Sequence, residues 1–163
     1  MSSETILAPV VKTTVVGAPQ AKAFRIFTEF FGGWWPSTHH IGKQPFETAI
    51  LECKLGGRWY ERATDGTECE WGKVLVWEPP SRVVMSWNIQ PDWTSNPDPA
   101  RASEVEVRFI PESESSTRVE LEHRCLERHG AGAAQMRDQV NGGWPAVVER
   151  FHDYVAEHAG EPA

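Results

Sequence analysis

The fold is decided by one stretch of the sequence, SEVEVRFIPESESSTRVELEHRC at residues 103–125. Apolar residues alternate with glutamate and arginine in both of its halves, 103–110 and 116–125, and the segment 111–116 between them is typical of a turn. Because successive side chains of a strand point to opposite faces, each half predicts a β-strand with one apolar and one charged face. The apolar set of the second half includes His123, so the pattern predicts that this histidine points into the protein.

The charged face of this strand pair predicts ion pairs. Its carboxylates could in principle serve acid–base chemistry, but cross-strand pairing with Arg108 and Arg118 is the simpler account of them. They are Glu104, Glu106, Glu120 and Glu122.

The same period of two continues outward from this pair toward the N-terminus. The further strand segments are 10–16, 46–54, 57–63, 69–78 and 82–89. Turn chemistry such as Gly56-Gly57, Asp65-Gly66 and Pro79-Pro80 separates the later ones. One strand followed, after an interval, by six in series predicts a seven-stranded antiparallel sheet.

Helical patterns occupy that interval and the end of the chain. Residues 19–31 place phenylalanines three and four positions apart, and Trp34-Trp35-Pro36 predicts a short helical turn after them. The last helix is predicted to enter at Gly142-Gly143 and Pro145, with Trp144 and Phe151 on its apolar stripe. A single long helix is too little to fill the concave face of seven strands. The sequence therefore predicts an α+β fold with a gap between sheet and helix.

Length and charge narrow the class of protein. The 163 residues fit one domain spanning 1–163 with a core at about 8–157, and we expect no second domain. The net charge is −7 and no dense Lys/Arg cluster occurs, so a nucleic-acid partner is not expected. Neither a leader pattern nor an apolar run of membrane length is present, which predicts a cytoplasmic protein without membrane insertion.

Three cysteines lie in strand-like segments without metal-ligand spacing. We expect Cys53, Cys69 and Cys125 to be reduced, partly buried thiols, and the sequence leaves a Cys53–Cys69 bridge open. No metal or cofactor motif appears. The adjacent pair His39-His40 cannot readily share one metal from a regular element and is expected to lie in a solvated loop.

Eight tryptophans are more aromatic surface than this domain needs to close its core. They predict the wall of an apolar ligand pocket, although each one could instead pack the core or cover the outer face of the sheet. His123 is the best polar candidate within the pocket, as a catalytic base or as a satisfied core group. The predicted ligand-binding residues are Trp34, Trp35, Phe46, Trp59, Trp87, Trp93, His123 and Trp144.

One connection is long for a hairpin. The segment 90–101 carries three prolines, few apolar anchors and the indole of Trp93. It is expected to be either a lid over the pocket or an ordinary exposed loop.

The order of elements resembles the helix-grip fold of the START and birch-pollen-allergen superfamily, also called SRPBCC. Local motifs are similar to the family of activator-of-heat-shock-protein-90-ATPase homologues over about residues 8–157. These motifs include Gly33-Trp34-Trp35-Pro36, Gly56-Gly57-Arg58, Trp71-Gly72-Lys73-Val74, Glu78-Pro79-Pro80-Ser81-Arg82, Ser86-Trp87 and Leu121-Glu122-His123. The resemblance implies the fold more strongly than the function, since one superfamily includes lipid carriers, cyclases and chaperone cofactors.

Three functions follow as hypotheses. The first is binding of a hydrophobic or aromatic small molecule in the gap. The second is a cyclase or dehydratase that uses His123 as general base in the same cavity. The third is a chaperone-cofactor-like interaction with a protein partner, or a homodimer, through an outer sheet face that carries Trp71 or Trp77.

Overall fold

The computed structural model describes residues 7–158 of the protein. The strands are β1 (Val10–Val16), β2 (Phe46–Leu51), β3 (Arg58–Ala63), β4 (Glu68–Glu78), β5 (Arg82–Trp87), β6 (Ser103–Ser113) and β7 (Ser116–Arg124). The helices are α1 (Gln20–Glu29), α2 (Phe31–Trp34) and α3 (Ala133–Glu157), with short 3-10 segments at Pro99–Arg101 and Leu126–Gly132.

All seven strands form one antiparallel sheet in the order β1-β7-β6-β5-β4-β3-β2. Strands β2 to β7 follow one another as a meander, and β1 pairs with the last of them. α1 and α2 connect β1 to β2, and the long helix α3 packs across the sheet. The predicted α+β helix-grip fold is confirmed, including the two short helices between the first two strands.

The two faces of the central strands follow the predicted alternation. Val105, Val107 and Phe109 are fully buried, and His123 is 0% exposed. On the outer face Arg108 Nε lies 3.2 Å from Glu120 Oε1. The glutamates of this face form a ladder of ion pairs with Arg82, Arg108, Arg118, Arg124 and Arg128.

α3 begins earlier than the glycines indicate. Gly142, Gly143 and Pro145 were predicted to mark its start, but all three lie inside it. Met136 and Val140 are buried at four-residue spacing before Trp144, so the apolar stripe begins two turns upstream. Tertiary packing of an amphipathic face stabilises a helix more than glycine destabilises it.

The space between sheet and α3 has a filled end and an open end. At the filled end Phe27 lies 5.0 Å from the Trp34 ring and 5.3 Å from that of Phe151, and the residual void there is only about 10 Å³. At the other end, beside the N-terminal half of α3, the side chains leave an open cavity.

All three cysteines are free. β2 ends at Leu51, two residues short of Cys53, which leaves that thiol exposed where partial burial was predicted. Cys69 and Cys125 are half-buried, and burial raises the pKa of both thiols. No helix among residues 7–158 is long and apolar enough to cross a membrane.

Candidate functional site

An aromatic cavity of about 350 Å³ opens between α3, strands β4 and β5, and the segment that follows α2. Its wall is built mainly from indole rings and aliphatic side chains. The lining residues are Trp35, Thr38, His39, His40, Ile41, Trp71, Trp87, Ile89, Trp93, Gln139, Val140, Gly143, Trp144 and Val147.

Four of the eight predicted ligand-binding residues line this cavity. Trp35 enters from the end of α2, Trp87 from the end of β5, Trp93 from the loop that follows, and Trp144 from α3. The rings of Trp87 and Trp144 are 5.7 Å apart, and together they form the inner wall.

The other four do not reach the cavity. Trp34 belongs to the filled end, where its Nε1 donates to the carbonyl of Ile26 at 3.2 Å. Trp59 lies behind the wall, 5.8 Å from the Trp87 ring. Phe46 is half-buried and stacks on the outer side of His40.

His123 is the fourth, and it is separated from the cavity by the inner wall. Its ring lies 5.0 Å from Trp87, and its Nδ1 accepts a hydrogen bond of 3.0 Å from Trp144 Nε1. An indole nitrogen can only donate, so Nδ1 carries no proton and Nε2 must carry it. Nε2 then donates to Ser103 Oγ at 2.8 Å. Both ring nitrogens are satisfied, so His123 has none left for a ligand.

The hydrogen bonds continue away from the wall in one direction. Ser103, having accepted from His123, donates to His129 Nε2 at 2.7 Å. Nδ1 of His129 is left to donate to Gln90 Oε1 at 3.4 Å. Gln90 stands at the start of the loop that carries Trp93. We call Trp144, His123, Ser103 and His129 the buried histidine chain.

Burial keeps both histidines of this chain neutral. Loss of hydration and, to a smaller extent, the neighbouring His129 lower the pKa of His123 to about 3. The same loss of hydration lowers the pKa of His129 to about 4. The inner wall separates His123 from the cavity, and both of its ring nitrogens are paired within the protein. His123 therefore fits the alternative of a satisfied core group better than that of a general base.

Apart from Gln139 of α3, the polar side chains that line the cavity stand on its rim, Thr38 to Ile41. His39 was predicted to lie in solvent, yet it is half-buried, and its backbone oxygen accepts a 2.7 Å hydrogen bond from Trp35 Nε1. His40 Nδ1 lies 3.0 Å from the carbonyl of Gly42. One signal in the sequence could have located this rim, because residues 38–41 closely follow Trp34-Trp35-Pro36. The chain turns after α2, and this turn brings residues 38–41 back to the open end.

Glu61 holds the rim in place and was missed in the sequence. It shares the inward parity of Trp59 on β3, and only 2% of its side chain is exposed. Its carboxylate accepts from the backbone nitrogens of Ile41 and Gly42 at 2.5 and 3.1 Å and from Trp71 Nε1 at 2.8 Å. One buried charge thus fixes both the rim and a lining indole, which is the usual condition for burying a carboxylate.

Trp71 lies inside the protein. It was considered for a partner-binding outer face, but it is 1% exposed and lines the cavity. Trp77 is half-buried, with its ring 5.2 Å from that of Phe24. Neither indole is available on the outer face as that hypothesis required.

The loop over the cavity mouth is more ordered than its composition indicates. Ile89 bridges to Ser95, and Trp93 N donates to the carbonyl of Gln90 at 2.7 Å. Trp93 adopts a left-handed backbone with φ of 62°, which is unusual for a bulky residue, and 40% of it is exposed. The turn places its indole at the mouth.

Among residues 7–158, no three side chains of His, Cys, Asp or Glu come together as a group that could hold a metal ion.

Residues 17–156 match the family model described as Activator of Hsp90 ATPase homolog 1-like protein. No curated protein sequence matches the chain. Among solved structures, the chain is similar to an anthrahydroquino-gamma-pyrone synthase, Txn09, complexed with SUM. The two are 41% identical over 91% of this chain and 97% of that chain, with a TM-score of 0.65.

A second similar structure is CalC from Micromonospora echinospora, described as a self-sacrificing resistance protein. It is 28% identical over 94% of this chain and 97% of that chain, with a TM-score of 0.67. Protein MLL2253 from Mesorhizobium loti, at 19% identity, 92% and 98% coverage and a TM-score of 0.64, shares the fold.

Proposed function

Because the chain belongs to the family of Activator of Hsp90 ATPase homolog 1-like proteins, we propose that it binds a flat aromatic small molecule in the cavity between sheet and α3. The observation that carries the proposal is the cavity itself, which five indole rings line at the open end of the core.

The size and chemistry of the cavity favour such a ligand. A volume of about 350 Å³ is within the range of small-molecule sites, which run from roughly 300 to 1,000 Å³. Indole faces stack on flat rings and bury large apolar areas with little loss of side-chain freedom. The polar side chains of the lining are few, namely those of the rim and Gln139 of α3. This distribution suits a ligand with an apolar body and polar groups at its edge.

The similar proteins favour fused rings. The synthase that is 41% identical bears in its name an anthrahydroquinone and a gamma-pyrone, both of which are planar cyclic systems. A ligand of two or three fused rings is therefore the class that we propose for this chain.

The proposal can be tested with anthraquinone-2-sulfonate and protein labelled with ¹⁵N. We expect the indole N–H signals of Trp35, Trp71, Trp87 and Trp144 to shift on titration, and the signal of Trp77, outside the cavity, to stay in place. Absence of binding, or equal shifts of every indole, would contradict the proposal.

A matched pair of valine variants provides the control. Val140→Phe adds a ring inside the cavity, whereas Val148→Phe adds the same ring on α3 away from the cavity lining. Overpacking destabilises by about 1 to 3 kcal/mol in either case. We expect only Val140→Phe to abolish binding; equal affinities of the two variants would place the ligand elsewhere.

A second candidate function is ring closure in the same cavity, and the likeness to a synthase is the observation that favours it. The balanced reaction would be ring closure within one anthrahydroquinone, by addition of a phenolic hydroxyl across an unsaturated bond conjugated to a ketone. The proton moves from oxygen to carbon, and nothing is released. Incubation with such an anthrahydroquinone should then give a product of equal mass and changed absorbance. A substrate that is bound but unchanged would leave binding as the function.

A further inference from the structure

We propose that His39 is the group that recognises the ligand, by a hydrogen bond from its Nε2 to an oxygen on the edge of an aromatic ring. In this inference, which rests on the proposed binding function, the ligand oxygen lies between His39 and Gly143 of α3. The ligand class narrows to phenols and quinone-like carbonyl compounds.

Most of the indole nitrogens around the cavity are engaged by the protein or buried. Trp144 Nε1 is engaged by His123, and Trp71 Nε1 by Glu61. Trp35 Nε1 donates to the rim backbone, and Trp87 Nε1 is buried without exposed surface. These four of the five lining indoles therefore present ring surface to a ligand, and their N–H groups are not available to it.

His39 is held in one orientation on the rim. Its Nδ1 lies 3.0 Å from Thr38 Oγ1, and its ring meets the Trp35 ring edge-on at 87°. The backbone is anchored at both sides, since His39 N donates to the Pro36 carbonyl at 3.1 Å and its own carbonyl accepts from Trp35. The ring is held while Nε2 bonds to no other group among residues 7–158.

Gly143 of α3 lies opposite this nitrogen. A Cβ at Gly143 would lie 3.9 Å from His39 Nε2. Glycine at that position leaves an opening between the imidazole and α3 within the cavity wall. Its neighbour Gly142 has no atom within 4 Å of an added Cβ and lines no part of the cavity.

The contact between Thr38 and His39 determines which hydrogen bonds Nε2 can form. A hydroxyl can donate or accept, so Thr38 is compatible with either neutral tautomer of the imidazole. Nε2 can then accept a hydrogen bond from a phenol or donate one to a carbonyl. His40 lacks this freedom, because its Nδ1 faces both the Gly42 carbonyl and the Glu61 carboxylate at 3.0 and 3.7 Å.

The test compares two probes of the same shape, 1-naphthol and naphthalene, by titration of the indole N–H signals. We expect wild-type protein to bind 1-naphthol about three- to tenfold more tightly than naphthalene, the effect of one hydrogen bond. His39→Phe keeps a ring against Trp35 but removes both nitrogens, and should bring the ratio of the two dissociation constants close to one. A ratio unchanged in His39→Phe would overturn the proposal.

The glycine pair tests the position of the ligand oxygen. Gly143→Ala and Gly142→Ala should both raise the unfolding midpoint, because alanine favours the helix. Only Gly143→Ala fills the opening beside Nε2, so only this variant should lose the preference for 1-naphthol. Equal preference in the two variants would overturn the placement against α3.

The outcomes also separate this inference from the binding function. If wild-type protein binds both probes with equal affinity, the cavity binds aromatic ligands and the role of His39 is wrong. If it binds neither probe at the cavity indoles, the proposed function fails together with the inference.

Discussion

Two pairs of histidines lie on opposite sides of the wall formed by Trp87 and Trp144. Behind it, His123 and His129 are buried, and each of their ring nitrogens has a hydrogen-bond partner, either in the buried histidine chain or at Gln90. In front of it, His39 and His40 stand on the cavity rim, where His39 Nε2 bonds to no residue among 7–158. Histidine thus occurs in two environments in this small protein, paired behind the wall and on the cavity rim in front of it.

The comparison shows that inward direction alone does not make a histidine functional. His123 fulfils every sequence criterion for a pocket residue, but its hydrogen bonds are satisfied by protein atoms. A nitrogen can serve a ligand only when the fold leaves it unpaired at an accessible surface.

The largest effect that we expect is the loss of stability in acid. The folded-state pKa values of the buried pair, about 3 and about 4, lie below the value of 6.5 expected for the unfolded chain. The unfolded chain therefore binds protons first. The free energy of unfolding should be highest above about pH 6.5 and fall as the pH falls, by on the order of 4 kcal/mol at pH 5 for the two histidines together.

Urea unfolding at several pH values measures this effect. His129→Gln removes one of the two titrating groups and should flatten the pH dependence by about half, while carboxylates contribute equally to both proteins. The same slope in wild type and variant would show that the buried pair does not titrate as inferred.

The next largest effect on stability is expected when a histidine is replaced by leucine, once behind the wall and once on the rim. His123→Leu leaves the Trp144 N–H without an acceptor and Ser103 without its donor, so it should destabilise the protein by about 3 kcal/mol. His39→Leu, on the rim, should change stability by less than about 1 kcal/mol. Chemical denaturation checks both, and equal losses would remove the distinction between the two sides of the wall.

The smallest effect isolates the hydrogen bond that ties the wall to the buried chain. Trp144→Phe and Trp87→Phe each replace an indole of the same wall by a smaller ring, but only Trp144 Nε1 has a hydrogen-bond partner. Trp144→Phe should be the more destabilising by about 1 to 2 kcal/mol, since it leaves His123 Nδ1 unpaired. If Trp87→Phe lowers the unfolding free energy equally, the Trp144–His123 bond contributes nothing measurable.

The fold could be read from the sequence because its signals are local. Alternation in 103–110 and 116–125 identified the inner and outer faces of β6 and β7, and the residues between 10 and 16 formed β1 as predicted. The start of α3 was wrong because Gly142, Gly143 and Pro145 are weak helix formers whose unfavourable propensity is offset by the buried stripe from Met136 onward.

The candidate site could be read only in part. The tryptophans predicted an aromatic cavity, and Trp35, Trp87, Trp93 and Trp144 do line one. Trp34 and Trp59 belong to the same aromatic set in the sequence, but neighbouring rings enclose them. Composition can indicate that indoles meet in a core, but it carries no information about which of them border empty space.

What the sequence determined by itself is therefore the order of the elements, the faces of the central strands and the presence of more aromatic surface than a core requires. The order of the elements and the strand faces depend on the periodicity of apolar residues along the chain, because short-range sterics fix how successive side chains point. The excess of aromatic surface depends on composition alone. Only the tertiary structure decided that Ser103 and Trp144 satisfy His123, and that Glu61 fixes the backbone of Ile41 and Gly42 beside the cavity. Such pairings join residues distant in the chain, and a hydrogen bond exists only where the packed backbone brings donor and acceptor to within about 3 Å.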